Sequence, residues 1–238
     1  VDGSAMTDVL TISGGTAGSA SVTGGSADDV LDMSDGNADI VNGGAGADTL
    51  TFDIEVSDSI TGGDGADIFQ MDNDTDTASA GAILQDVSAS DDIDLDQSTI
   101  EVLTVDGGTA IAELTDMAGA DVGNGDLTFA IVDADNASLA AGDIVVLQGK
   151  TYADSAAALA DIQTAGDRTF TNGGGNYSDN DGVLIAYELS SGGVELAVVQ
   201  QAGGGSASSD TLDDIDVLIT LVGVTNTSVT SLDFDMEA

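Results

Sequence analysis

Gly43-Gly44-Ala45-Gly46-Ala47-Asp48-Thr49-Leu50-Thr51 is followed, 19 residues on, by Gly62-Gly63-Asp64-Gly65-Ala66-Asp67-Ile68-Phe69-Gln70. Both fit the nonapeptide G-G-x-G-x-D-x-U-x, where U is a large apolar residue. One step earlier stands Gly24-Gly25-Ser26-Ala27-Asp28-Asp29-Val30-Leu31-Asp32, which departs only at Ala27, the place of the third glycine. Asp29, Asp48 and Asp67 therefore recur at a step of 19, as do Leu31, Leu50 and Phe69, then Met33, Phe52 and Met71. Within each repeat the apolar pair is spaced i, i+2, which puts both side chains on one face of a short strand.

A weaker series lies between these. Asp39 precedes Val41 and Asp58 precedes Ile60, again 19 apart; Val22 holds the earlier apolar place, but Ala20 stands where an Asp is expected. Strands thus recur every 9 or 10 residues, and two of them make one turn. The pattern predicts an all-β fold that begins, over residues 1–75, as a right-handed parallel β-roll. Its first turn is degenerate: Asp8, Leu10 and Ile12 repeat the motif with two extra residues around Gly14-Gly15. After Met71 the register is expected to fail, because Thr77 occupies the next Asp position. Each turn buries only two or three apolar side chains, so turns must stack to make a core.

Stacked strands lie about 4.8 Å apart, which lines the periodic Asp residues up in a column. Two carboxylates about 5 Å apart repel by roughly 3 kcal/mol at an effective dielectric near 20, and a cation between rungs relieves this. Composition narrows the cation. The 238 residues include 44 acids, 38 of them Asp, against two bases, Lys150 and Arg168, for a net charge of −42; there is no His and no Cys. Only oxygen ligands are on offer, and glycines let carbonyls turn inward. A hard divalent ion taking six to eight oxygens is calcium.

The same counts exclude other chemistry. Without His or Cys there is no Ser-His-Asp triad, Cys-His dyad, disulfide, or imidazole or thiolate metal site. Two cations cannot track a phosphate backbone or hold an anionic membrane surface. No apolar run approaches the length of a membrane span, and no basic-then-apolar amino-terminal export segment is visible. Disorder is opposed by 42% hydrophobic residues and a slightly positive mean hydropathy.

Residues 20 to 71 resemble the repeats-in-toxin (RTX) family, whose nonapeptides form a calcium-bound parallel β-roll. The resemblance implies that Asp29, Asp48 and Asp67 ligate calcium by side chain. It implies that Gly43, Ala45, Gly46, Gly62, Asp64 and Gly65 contribute mainly backbone carbonyls. Asp39 and Asp58 are candidates on an edge that lacks the glycines, where a calcium site and a plain Asp turn explain them equally well. The end of the chain, Ile219–Thr225 with Leu232-Asp233-Phe234 and Asp235-Met236-Glu237-Ala238, resembles the carboxy-terminal tail of RTX proteins exported by type I secretion.

Residues 76–238 read as a mostly β domain with one short helix. Strands are expected at 100–105, 127–133, 143–147, 183–189, 194–200 and 217–222, with 183–189 and 194–200 forming an antiparallel hairpin about Ser190-Ser191-Gly192-Gly193. The helix follows Asp154-Ser155 as cap and stops at Gly166. Asp92, Asp94 and Asp96 alternate and so share one strand face. Further Asp clusters lie at 72–76, at 179–181 and among Asp210, Asp213, Asp214 and Asp216. Nothing singles out a catalytic carboxylate pair, and no enzyme is expected. The expected function is a secreted calcium-binding structural protein that folds and self-associates on calcium, extracellular or at a bacterial cell surface, as a surface-layer or matrix component. Its expected partners are calcium ions, further copies and the type I secretion apparatus, with no nucleic acid and no membrane insertion. The alternative is the calcium-folded carboxy-terminal secretion module of a larger enzyme or adhesin.

Overall fold

Short apolar runs separated by Gly and Asp turns bury one face each, so they require a facing layer. The computed structural model describes residues 1–14, 18–72, 80–103, 111, 122, 125–132, 143–163, 181–201 and 212–237. Nine short strands come first: β1 (Thr11–Ser13), β2 (Ser21–Thr23), β3 (Val30–Asp32), β4 (Ile40–Ala45), β5 (Thr49–Phe52), β6 (Ser59–Asp64), β7 (Ile68–Met71), β8 (Ala82–Gln85) and β9 (Asp92–Asp96). Odd strands lie in one sheet and even strands in the other, each parallel to the strand two before it. The register keeps the sequence step: Leu31 stands beside Leu50, Leu50 beside Phe69, and Val41 beside Ile60.

Both series then lengthen together. Ile68 pairs with Asp92 and Ser59 with Ile83, 24 residues on. The winding therefore gains a further turn, β8 and β9, where the sequence led us to expect loss of register. The extra residues fall between β7 and β8, around 73–79, outside the described residues.

The remaining elements are α1 (Gln97–Val102), β10 (Gly125–Asp126), β11 (Phe129–Val132), β12 (Ile144–Tyr152), α2 (Ser155–Ile162), β13 (Gly182–Leu189), β14 (Val194–Gln201), β15 (Leu212–Val222) and β16 (Asp233–Glu237). One sheet has seven strands, ordered β1-β3-β5-β7-β9-β16-β10; the other has nine, ordered β11-β12-β13-β14-β15-β8-β6-β4-β2. Late in the chain β15 lies parallel to β8 and β16 parallel to β9, so both sheets continue across residue 75. β13 and β14 form the expected hairpin. The molecule is mostly β, and α2 is its one helix of more than six residues among those described.

Leu31, Leu50, Phe69, Ile93 and Phe234 from one sheet share a buried cluster with Val22, Val41, Ile60, Leu84 and Leu221 from the other. Alternate residues of β13 and β14 point away from it. There Ile185, Tyr187 and Val199 pack with Ala158 and Ile162 of α2. The α2 cap is as expected, with Asp154 Oδ1 accepting the Ala157 N–H at 2.9 Å. Of the strand expected at 100–105, residues 100–102 lie instead in helix α1, because Asp96 accepts the Thr99 N–H at 2.7 Å and closes a first helical turn; 104 and 105 lie outside the described residues. No helix among the described residues is long and apolar enough to cross a membrane.

Candidate metal centres

Asp29, Asp48 and Asp67 are buried, each just before its strand. Asp29 Oδ1 accepts the Leu10 N–H at 2.7 Å, Asp48 Oδ1 the Asp29 N–H at 2.7 Å, and Asp67 Oδ1 the Asp48 N–H at 2.9 Å. Asp91 continues the series, accepting the Asp67 N–H at 3.0 Å. Each carboxylate thus caps the rung before it. Sequence reasoning missed Asp91, although Asp91-Asp92-Ile93-Asp94-Leu95 repeats the Asp-x-apolar-x-apolar pattern of Asp48 to Phe52.

The ladder uses Oδ1, which leaves the second oxygen in question. Asp29 Oδ2 accepts the Gly25 N–H at 2.7 Å. Asp48 Oδ2 is buried with no hydrogen-bond partner, in a residue 1% exposed. It lies against Gly43, where a Cβ would collide with it and come within 2.6 Å of the Gly62 carbonyl oxygen. Gly43, Ala45, Gly62 and Asp64 lie in β4 and β6, whose loop ends pair Gly44 with Gly63 and Ala45 with Asp64. Gly46 and Gly65 follow with positive φ, +124° and +158°; Gly46 donates its N–H to the Asp64 carbonyl at 2.9 Å. An orphaned carboxylate oxygen beside a cradle that only glycine fits suits a hard cation held by oxygens.

The edge without glycines builds the same ladder. Asp39 Oδ1 accepts the Ala20 N–H at 2.5 Å and Asp58 Oδ1 the Asp39 N–H at 2.8 Å. Asp58 Oδ2 accepts the Asp53 N–H at 3.1 Å, so both of its oxygens are committed. Burial pushes the Asp58 carboxyl up to about 6, and burial also raises Asp39, Asp48 and Asp67.

A separate cluster lies on the seven-stranded sheet. The parallel register of β9 and β16 sets Asp92 beside Asp233, Asp94 beside Asp235 and Asp96 beside Glu237. The alternate residues, Ile93, Leu95, Phe234 and Met236, fill the core. Carboxylate oxygens of Asp92, Asp94 and Asp235 lie within 4.8 Å of one another, so these three could hold a metal ion. Asp92 Oδ1 and Asp235 Oδ1 are buried without a partner. Burial, then Asp92, Glu237 and Asp235, pushes Asp94 up to about 6. Burial, then the neighbouring Asp126, does the same to Asp235. Asp96, grouped with Asp92 and Asp94 in the sequence, is instead the α1 cap. The third carboxylate comes from the chain end, a pairing of β9 with β16 that local periodicity does not encode.

No family model, curated protein or solved structure matches this chain.

The remaining sequence candidates are placed unevenly. Asp181 is buried, while Asp74, Asp76, Asp179, Asp210 and Arg168 lie outside the described residues. Lys150 pairs with the buried Asp161, whose other oxygen accepts the Tyr152 hydroxyl at 2.5 Å.

Proposed function

We propose that the chain is a secreted, non-catalytic calcium-binding structural protein of RTX type, working outside the cell or on a bacterial surface as part of a layer or matrix. The observation that carries this is the buried Asp48 Oδ2, partnerless in its glycine cradle, within a parallel winding of 19-residue step. Asp29, Asp48 and Asp67, with carbonyls of the Gly43–Gly46 and Gly62–Gly65 loops, would hold ions on one edge. Asp92, Asp94 and Asp235 would hold another on the sheet face. When bound, calcium supplies positive charge that a chain with two bases and 44 acids lacks. The chain's own contribution is positional: backbone N–H groups hold every ladder Oδ1, and at Asp48 this leaves the second oxygen for the ion.

Self-repulsion would loosen the chain in a calcium-poor cytosol, and binding energy would become folding energy outside. Export by a type I apparatus would then read the tail before it becomes β16. The test is a calorimetric calcium titration with circular dichroism and light scattering on the same sample. We expect saturable binding of more than one ion, a gain in β signal over the chelated protein, and growth of scattering. No binding heat at millimolar calcium would overturn the reading; a strict monomer throughout would remove its assembly part.

A further inference from the structure

In β2, β4, β6 and β8 the residues that alternate with the buried Val22, Val41, Ile60 and Leu84 point outward. The parallel register lays them in two rows across the strands. One row runs Ser21, Ile40, Ser59, Ile83 and continues to Thr220 of β15. The other runs Thr23, Asn42, Thr61, Gln85 and continues to Val222. Gln85 Nε2 donates to Ser59 Oγ at 2.7 Å across this face. None of these side chains is charged, in a chain with 44 acids and two bases. The seven-stranded sheet does the opposite: the same alternation there turns Asp32, Asp92, Asp94, Asp233 and Asp235 outward. Apolar groups on the neutral face meet solvent, with Ile40 60% and Val222 46% exposed.

The first row has a shape as well as a lack of charge. Small and large side chains alternate, Ser21, Ile40, Ser59, Ile83, at the strand spacing of about 4.8 Å. A second copy of the same face fits this relief when turned about a two-fold axis that runs parallel to the strands, between β4 and β6. The rotation reverses the order of the strands and keeps each row opposite itself. Ile40 then meets Ser59 of the second copy, and Ile83 meets Ser21 of the second copy. In the other row Asn42 meets Thr61 and Gln85 meets Thr23, a carboxamide against a hydroxyl each time. A two-fold interface requires such self-complementarity, and side chains of facing sheets interdigitate in this way.

Charge points to the same occupant. Two copies of net charge −42 repel each other. They can close on this face without taking a carboxylate out of water, which is costly when the charge is left unpaired.

We propose that β2, β4, β6 and β8 pair with the same strands of a second copy, through this uncharged face. The proposal rests on the reading of a self-associating chain and names the surface. The patch is small beside a standard interface, so the dimer is weak. The test is sedimentation equilibrium of the full chain in saturating calcium, up to about 1 mM, with a calorimetric calcium isotherm for every variant. We expect a dimer that tightens as sodium chloride rises from about 0.05 to about 0.5 M, since salt screens the net repulsion and the contact holds no ion pair. Ile40→Glu should weaken it more than about tenfold. Ile40→Ser removes the ridge without adding charge and should weaken it about tenfold, which keeps the test decisive if the glutamate disturbs the rung. Thr11→Glu adds the same charge to an exposed position of the other sheet and should leave the dimer unchanged. All three should keep the wild-type calcium isotherm. Wild-type association in Ile40→Ser, equal weakening by Thr11→Glu, loosening by salt, or a monomer at 1 mM would each overturn the proposal. A dimer with these properties but no calcium heat would overturn the calcium reading and leave the interface standing.

Discussion

At the scale of the residue, the carboxylate of Asp48 is divided between two tasks. Oδ1 receives the N–H of the previous rung, and this partly answers the repulsion that the bare column implies. It also explains Leu10 and Ala20. They occupy the ladder positions of the first described rungs, where they donate to Asp29 and Asp39 and no carboxylate is required of them. The Asp spacing was legible in the sequence; the N–H bonds were not, because they depend on strand register. Gly43→Ala should disturb the second task, since its Cβ would collide with Asp48 Oδ2. We expect a loss of about 1–3 kcal/mol in urea unfolding and a weaker calcium isotherm. Gly192→Ala, at φ +98° with open space around it, serves as the strained but uncrowded control, which keeps its calcium isotherm. Asp58 offers a pH test in chelator. Its folded carboxyl, at about 6, lies above the ordinary 3.8, so the folded state binds the proton more tightly. Stability should therefore fall as pH rises from about 4 to about 6, by about 1–2 kcal/mol after solvent screening. Asp58→Asn should lessen that slope by the share of Asp58, with Asp94 and Asp235, also raised to about 6, carrying the rest, as read from urea midpoints at both ends of the window; an unchanged slope would mean that Asp58 contributes none of it.

At the scale of the element, β9 and β16 bring together what 19-residue periodicity could not. Asp92 and Asp94 sit on a strand that continues the winding after a longer turn, and Asp235 arrives from the chain end. The strand β9 was recognisable from Asp91-x-Ile93-x-Leu95, but its partner was not, since parallel pairing of distant segments leaves no local mark. The helix α1 shows the converse failure. Ile100 and Val102 are β-branched, yet the Asp96 cap sets residues 97–102 as a helix. Like charges directly opposite on paired strands destabilise the sheet, and β9 with β16 sets three acid pairs so. Asp235→Asn should therefore raise the stability of the chelated protein near neutral pH. In calcium it should lower the ion count by one and reverse the gain. Calorimetry and thermal melts on the two forms check this; an unchanged ion count would show that the cluster holds no metal.

At the scale of the whole molecule, the two sheets make the early winding and the later strands depend on each other. Phe234 of β16 is buried in the cluster that holds Leu31, Leu50 and Phe69, and its ring meets that of Phe129 edge-on at 5.9 Å. Phe129 lies in β11, the edge strand of the nine-stranded sheet, and Phe234 in β16, next to last in the seven-stranded one, so this contact joins the late parts of both. A winding that stood alone would keep its protection when the late strands were weakened. One that shares its core would not. Phe234→Ala should cost about 3–5 kcal/mol. Hydrogen exchange in calcium should then speed up in β5 and β7 as much as in β9 and β16, because the same cluster opens. Protection retained in β3 to β7 while β16 exchanges freely would divide the molecule into independently stable parts, with the periodic segment folding on its own ions.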